Sequence, residues 1–70
     1  PTGIDALTLN AVKKLFADPQ VQHTAETVAQ ALTISRTTAR RYLEYCASRH
    51  LVIAEIVHGK VGRPQRIYHG

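Results

Sequence analysis

The 70-residue sequence predicts a single small α+β domain, in which three helices are followed by a β-hairpin. Two observations predict this class. Apolar residues recur at helical spacing in three successive segments, and β-branched residues then form two short runs separated by a glycine-containing stretch. The length allows one domain at most, and the 44% hydrophobic content is ordinary for a folded chain.

The first helix is predicted over about residues 5–17, where apolar side chains share one face and two lysines fall on the other. Either Asp5 or Thr8 can cap its start. Pro19 ends it, because proline disfavours the helical conformation in the preceding residue and has no backbone N–H to donate.

The second and third helices are predicted to lie close together in the chain. The second covers about residues 25–32 and has Thr24 as its N-cap. A link of only three residues, 33–35, leads into the third helix, predicted over about residues 36–49 with Ser35 as its N-cap. Two helices joined by so short a link form a helix-turn-helix.

The third helix has two contrasting faces. One stripe, at steps of four, three and four residues, consists of Ala39, Leu43, Cys46 and His50. The opposite face is mostly Arg, Thr and Ser, and it holds Thr37, Arg40, Arg41, Glu44 and Ser48, with Arg36 near its boundary. The sequence therefore predicts a buried apolar side and a basic outer side.

The hairpin is predicted over about residues 51–69. Its first strand, 51–57, is rich in β-branched residues, and its return strand covers 66–68. The tip between them contains two glycines, one proline and several basic side chains. Three helices followed by a hairpin with a basic tip match the arrangement of a winged helix-turn-helix.

The positive charge is concentrated in the second half of the chain. The net charge is +4 at pH 7, yet residues 1–34 hold two lysines against three acidic residues. Residues 35–70 hold seven Lys and Arg against two glutamates. Such polarity favours a polyanionic partner, either a nucleic acid or an anionic membrane surface.

In a winged helix-turn-helix, the second helix of the pair enters the major groove of duplex DNA, where arginine can bind guanine through two donors. The predicted major-groove contacts, to bases and phosphates, are Arg36, Thr37, Arg40 and Arg41. The predicted backbone contacts are Ser35 and Thr38, because short hydroxyls at a helix start suit phosphate oxygens. The predicted wing contacts, to the backbone or the minor groove, are Lys60, Arg63, Gln65 and Arg66.

Two runs, residues 34–46 and 59–68, resemble the output domain of the citrate and C4-dicarboxylate response regulators of the CitB and DcuR type, and the citrate branch most closely. The resemblance implies a transcription factor of citrate or dicarboxylate genes, and the lone cysteine and the lack of a long apolar run predict a cytoplasmic location. The resemblance also implies a receiver domain outside these residues and a cognate sensor histidine kinase. The partner is predicted to be double-stranded DNA, and binding as a homodimer is left open, because no dimerisation surface is legible in the sequence.

Several other classes of protein are disfavoured. One cysteine cannot form an internal disulfide, and no apolar run approaches the roughly 18 residues that a membrane span needs. No nucleophile, base and orienting group stand at a recognisable spacing, so we expect no enzyme and no cofactor. Cys46 and His50 are four residues apart, but no second ligand pair follows them, so we expect no metal site.

Two alternatives stay open from the sequence. An arginine-rich helix face is often only a solvated surface. A winged helix can also be a protein-interaction module that docks an acidic partner. A membrane-surface role is favoured less, since no large apolar face is predicted beside the basic residues.

Overall fold

The computed structural model describes residues 3–58 and 64–70. Its elements, in chain order, are α1 (Ala6–Leu15), β1 (Gln22–His23), α2 (Ala25–Leu32), α3 (Arg36–Ser48), β2 (Ile53–His58) and β3 (Pro64–His69). The strands form one antiparallel sheet in the order β1-β3-β2. The fold is a winged helix-turn-helix, as the sequence predicted.

Each helix begins at a side-chain cap. Asp5, and not Thr8, caps α1 and accepts the Thr8 backbone N–H at 3.0 Å. Thr24 forms a capping box with Thr27 at the start of α2, and Ser35 caps α3. Caps of this kind satisfy backbone donors that the first turn leaves unpaired, which is why these residues locate the helix starts.

Two helix ends differ from the prediction. The first helix ends at Leu15 with Phe16 as its C-cap, rather than near residue 17. The third ends at Ser48, and His50 is an exposed residue with a φ of 59°. His50 therefore does not continue the buried stripe, because the left-handed conformation turns the chain out of the helix. Across the described residues, no helix combines the length and apolarity that crossing a membrane requires.

The turn between α2 and α3 depends on Thr33. Its φ of 56° and ψ of 47° are left-handed, a conformation that costs a non-glycine residue about 1 kcal/mol. The N–H of Thr33 and that of Ile34 both donate to the carbonyl of Ala29. These bonds close the end of α2 and fix the direction in which α3 begins.

The core lies between the helices and the inner face of the sheet. Its buried residues are Val12, Phe16, Val28, Ala39, Tyr42, Leu43, Cys46, Val52 and Tyr68. Four of these belong to α3, so that helix is anchored along one whole side. The hydroxyl of buried Tyr42 also accepts the Asp5 backbone N–H at 2.8 Å, which joins the start of α1 to α3.

The sheet contains one strand that the sequence did not predict. Gln22 pairs with His69 and His23 pairs with Tyr68, so β1 adds two residues to the free edge of β3. Nothing in the local sequence marks β1, because it has no β-branched run and is defined only by its partner.

The wing strands are shifted relative to the prediction. Leu51 and Val52 precede β2, and the Leu51 N–H closes the turn after α3 by donating to the Cys46 carbonyl at 2.9 Å. Pro64, predicted in the tip, begins β3 opposite His58. A proline is tolerated as the first residue of a strand because its missing N–H costs no interior ladder bond. His58 and Gln65, also predicted in the tip, belong to β2 and β3, because the ladder continues through them. Residues 59–63 of the predicted tip lie outside the described residues.

Candidate nucleic-acid interface

A cleft of about 510 Å³ lies between the first turns of α3 and β3, and the start of α2 also lines it. We call it the arginine cleft. Its lining residues are Thr24, Ala25, Glu26, Arg36, Thr37, Arg40, Pro64, Gln65, Arg66 and Tyr68. It brings together five of the ten predicted contact residues: Arg36, Thr37, Arg40, Gln65 and Arg66.

The helix α3 supplies one wall of the arginine cleft. Arg36 and Arg40 are four residues apart, so they lie one above the other on the same face of the helix. Ala39 and Leu43 lie on the adjoining buried side of the helix and are 0% exposed. Because packing holds that side, the arginines are directed outward from a fixed backbone.

The strand β3 supplies the facing wall. Arg66 pairs with Ile56 and Tyr68 pairs with Ala54 across the ladder, so Arg66 and Tyr68 share one face of the sheet. This face packs against α3, since Tyr68 is 1% exposed and Ala54 contacts the core. The alternation of the strand thus places Arg66 beside the helix.

Glu44 of α3 joins these two walls. Its Oε2 lies 3.0 Å from the Nε of Arg66, and the same oxygen accepts a hydrogen bond from the Tyr68 hydroxyl. The guanidinium carbon of Arg66 is 5.9 Å from the centre of the Tyr68 ring, within the range of a cation–π contact. A cluster of three side chains therefore connects the helix to the wing strand.

Sequence reasoning placed Glu44 on the outer face of the third helix but gave it no part in the site. A signal was present, because Glu44 is the one acidic residue between positions 36 and 49. Its partners could not be read from spacing, since Tyr68 is 24 residues away. The lining by Thr24, Ala25 and Glu26 was missed for the same reason.

The Tyr68 hydroxyl is held in its protonated form. Burial first, and then the hydrogen bond to Glu44 and the charge of that carboxylate, raise the pKa of Tyr68 to about 12. The hydroxyl therefore remains a hydrogen-bond donor at every pH near neutrality. Burial also raises the pKa of the Cys46 thiol, which lies in the core at 0% exposure.

Three predicted contact residues lie outside the arginine cleft. Ser35 and Thr38 bond to each other at the start of α3, with the Ser35 hydroxyl donating to the Thr38 hydroxyl at 2.8 Å. Arg41 lies beside Gly3, where an added Cβ would come within 3.2 Å of the Arg41 Nη1. Lys60 and Arg63 belong to the residues that the structure does not describe.

The charges of the arginine cleft are unbalanced in favour of cations. Three arginines line it, against Glu26 alone, while Glu44 stands directly behind Arg66. Within residues 3–58 and 64–70, no carboxylate comes within ion-pair distance of Arg36 or Arg40. Their guanidinium groups are therefore available to an anionic ligand.

Comparison with known sequences places the chain among bacterial regulators. Residues 7–70 match the family described as the DpiA-like helix-turn-helix domain. The chain is 91% identical, over 69 residues, to the transcriptional regulatory protein DpiA of Escherichia coli strain K12. It is 57% identical over 68 residues to the transcriptional regulatory protein CitB of Klebsiella pneumoniae.

These alignments cover 99% and 97% of this chain but only 30% and 29% of the two relatives. The chain thus spans about a third of the length of the curated relatives that it matches. Among solved structures, a possible transcriptional regulator from Methanosarcina mazei Go1 superposes with a TM-score of 0.79 and 15% sequence identity. That match covers 94% of this chain and 55% of the other, and it supports the winged helix-turn-helix fold.

Proposed function

Since the chain belongs to the family of DpiA-like helix-turn-helix domains, we propose that it binds duplex DNA with sequence preference as the output module of a transcriptional regulator. Membership of this family confirms the resemblance to the citrate branch of response-regulator output domains. The observation that carries the proposal is the arginine cleft, in which the outer face of α3 and the wing strand β3 form one basic surface.

The first turns of α3 form the reading element. Arg36, Thr37 and Arg40 are exposed on a helix whose other side is packed into the core. A major groove about 12 Å wide admits one such helix, and arginine can bind the O6 and N7 of guanine with two donors. We assign base and phosphate contacts to these residues and to Arg41, and backbone contacts to Ser35 and Thr38.

The wing forms the positioning element. Gln65 and Arg66 lie at the start of β3, across the arginine cleft from α3. Contacts from this strand reach the phosphate backbone, which fixes the register of the protein on the duplex without selecting bases. We propose that Lys60 and Arg63 extend the same backbone contact and that Arg63 enters the minor groove.

The relatives guide a proposal for the full regulator. The printed name of one relative, 38% identical over 68 residues, is a probable C4-dicarboxylate response regulator of Bacillus subtilis. We propose that this chain serves a cytoplasmic regulator of citrate or dicarboxylate genes with a receiver domain and a cognate sensor histidine kinase. We further propose that it binds its sites as a homodimer, with half-sites roughly one helical turn apart.

The test is a binding titration of the 70-residue chain over a salt series. The probes are a duplex enriched by the chain from a random pool and a scrambled duplex of the same composition. We expect tighter binding to the enriched duplex. We also expect the logarithm of affinity to fall linearly with the logarithm of salt concentration, with a slope of about −0.9 per neutralised phosphate.

Lys60→Ala provides the matched variant for the wing. We expect it to weaken binding to both duplexes similarly and to flatten the salt slope by about one. Lys14→Ala, which removes an equal charge from the exposed side of α1, is the control and should leave the slope unchanged. Failure of the wild-type chain to bind either duplex would refute the proposal and favour an acidic protein partner.

A further inference from the structure

We propose that Glu44 is a positioning residue for DNA binding, whose carboxylate holds Arg66 so that the terminal nitrogens of this arginine face the arginine cleft. The inference rests on the proposed function, because it specifies how one wall of the same surface is prepared for a phosphate. The juxtaposition of Glu44, Arg66 and Tyr68 carries it.

Two separate contacts restrain the Arg66 guanidinium. Glu44 forms an ion pair with it, with its Oε2 3.0 Å from the Arg66 Nε, and the guanidinium carbon lies 5.9 Å from the centre of the Tyr68 ring. Tyr68 is itself fixed, being 1% exposed and bonded through its hydroxyl to the same Glu44 oxygen. The arginine therefore contacts one buried group, Tyr68, and one carboxylate that is itself hydrogen-bonded to Tyr68.

The ion pair with Glu44 is formed at the Nε of Arg66, away from the tip of the side chain. A guanidinium has five N–H donors, and the ion-pair contact with Glu44 lies at the Nε of Arg66. The two terminal nitrogens keep the forked geometry that binds a phosphate through two parallel hydrogen bonds. Arg66 lines the arginine cleft together with Arg36 and Arg40, so a phosphate entering there meets an arginine that is already ordered.

The exposure of the pair argues against a purely structural role. The side chains of Arg66 and Glu44 are 44% and 40% exposed. Ion pairs this open to solvent contribute little to folding stability, because water screens them and two long side chains must be ordered. Ordering Arg66 in advance instead lowers the conformational cost that DNA binding would otherwise incur.

The negative charge of Glu44 and its proposed positioning role should affect DNA binding in opposite directions. A carboxylate close to bound DNA repels phosphates, so its neutralisation should tighten binding if charge alone mattered. Glu26 lines the same cleft and, within the described residues, has no cation within ion-pair distance. Glu26→Gln and Glu44→Gln change the net charge equally, but only the second removes the carboxylate that holds Arg66.

The experiment measures the affinity of five proteins for the enriched and scrambled duplexes. They are the wild-type chain, Glu26→Gln, Glu44→Gln, Arg66→Ala and the double variant Glu44→Gln/Arg66→Ala. We expect Glu26→Gln to bind more tightly than wild type and Glu44→Gln to bind more weakly by roughly threefold to tenfold on both duplexes. In the Arg66→Ala background, Glu44→Gln should cause no further loss, since the group it positions is gone.

A measurement without DNA checks the restraint itself. In ¹⁵N NMR spectra of the free chain, the Arg66 Nε–H should exchange slowly with solvent in wild type and in Glu26→Gln, and quickly in Glu44→Gln. Circular dichroism of each variant verifies that it is folded.

The outcomes separate this inference from the proposed function. If the wild-type chain binds no duplex, the proposed function fails and the positioning role falls with it. If wild type binds but Glu44→Gln binds as tightly or more tightly, only the positioning role is overturned. Equal losses for Glu44→Gln with and without Arg66 would overturn it as well, because Glu44 would then act independently of that arginine.

Discussion

The two walls of the arginine cleft hold their cations in different ways. Helix α3 buries four residues, and Arg36 and Arg40 have no ion pair among the described residues. Strand β3 buries only Tyr68, and its Arg66 is held by Glu44. A packed backbone can keep its arginines in place without an ion pair. A strand with little burial needs a polar contact to keep its arginine in place.

Truncating a buried side chain of α3 should destabilise the fold more than any other change proposed below. Leu43→Ala should lower the free energy of unfolding by about 2 to 5 kcal/mol, since Leu43 is 0% exposed and its removal leaves a cavity against neighbours that relax only partly. Urea unfolding measures the change. Gln65 is exposed on β3, so Gln65→Ala should change the free energy of unfolding by no more than about 0.5 kcal/mol. Similar losses at both positions would mean that the two walls are anchored alike.

The contribution of Tyr68 to folding stability should depend on pH. The pKa of Tyr68 is about 12 when folded, against about 10 for an unfolded tyrosine. The unfolded chain therefore loses this proton first, and the contribution of Tyr68 to stability is complete below pH 10 and declines as the pH rises towards 12. The loss across this window should be about 2 to 3 kcal/mol.

Unfolding of wild type and Tyr68→Phe at matched pH values tests this dependence. Phenylalanine keeps the buried ring but has no proton to lose, so the difference between the two proteins should narrow above pH 10. A difference that stays constant from pH 9 to pH 12 would show that burial and Glu44 do not hold the hydroxyl protonated.

Two neighbouring arginines of α3 should contribute unequally to DNA binding. Arg40→Ala should cost about 1 to 3 kcal/mol of binding to the enriched duplex and relax its sequence preference, because Arg40 lines the arginine cleft. We expect a smaller loss for Arg41→Ala, since Arg41 lies beside Gly3. Titrations on enriched and scrambled duplexes measure both effects. A larger loss for Arg41 would place the reading edge of α3 on the other side of the helix.

Removing the N-cap of α3 should lower the stability of the protein only slightly. Ser35→Ala should lower the free energy of unfolding by about 1 kcal/mol, because the Thr38 N–H loses the acceptor that lies 3.1 Å away. Ser48→Ala, at the other end of α3, removes only a hydroxyl donor to the Tyr45 carbonyl and should cost less. Equal costs would indicate that the cap does not determine where α3 begins.

The sequence predicted the features that are determined by residues close together in the chain. The caps at Thr24 and Ser35, and the apolar side of the third helix through Ala39, Leu43 and Cys46, follow from neighbouring residues. Features that depend on distant partners could not be predicted. The two residues of β1 form a strand only because β3 lies beside them.

In the candidate site, too, the contacts that depend on local spacing could be predicted and those between distant residues could not. Arg36 and Arg40 could be assigned to one face from helical spacing alone. The connection of Glu44 to Arg66 and Tyr68 depends on how β3 packs against α3, and no local sequence pattern predicts that packing. The individual contacts to DNA stay predictions, with Lys60 and Arg63 outside the described residues.

The bond between the Asp5 N–H and the Tyr42 hydroxyl spans 37 residues of sequence and has a mechanical consequence. Asp5 also caps α1, so one residue connects the backbone ahead of that helix to the middle of α3. Displacing this backbone must either break the bond or carry Tyr42 with it. A shift of the backbone at Asp5 is therefore coupled to α3 through this bond, without passing through α2.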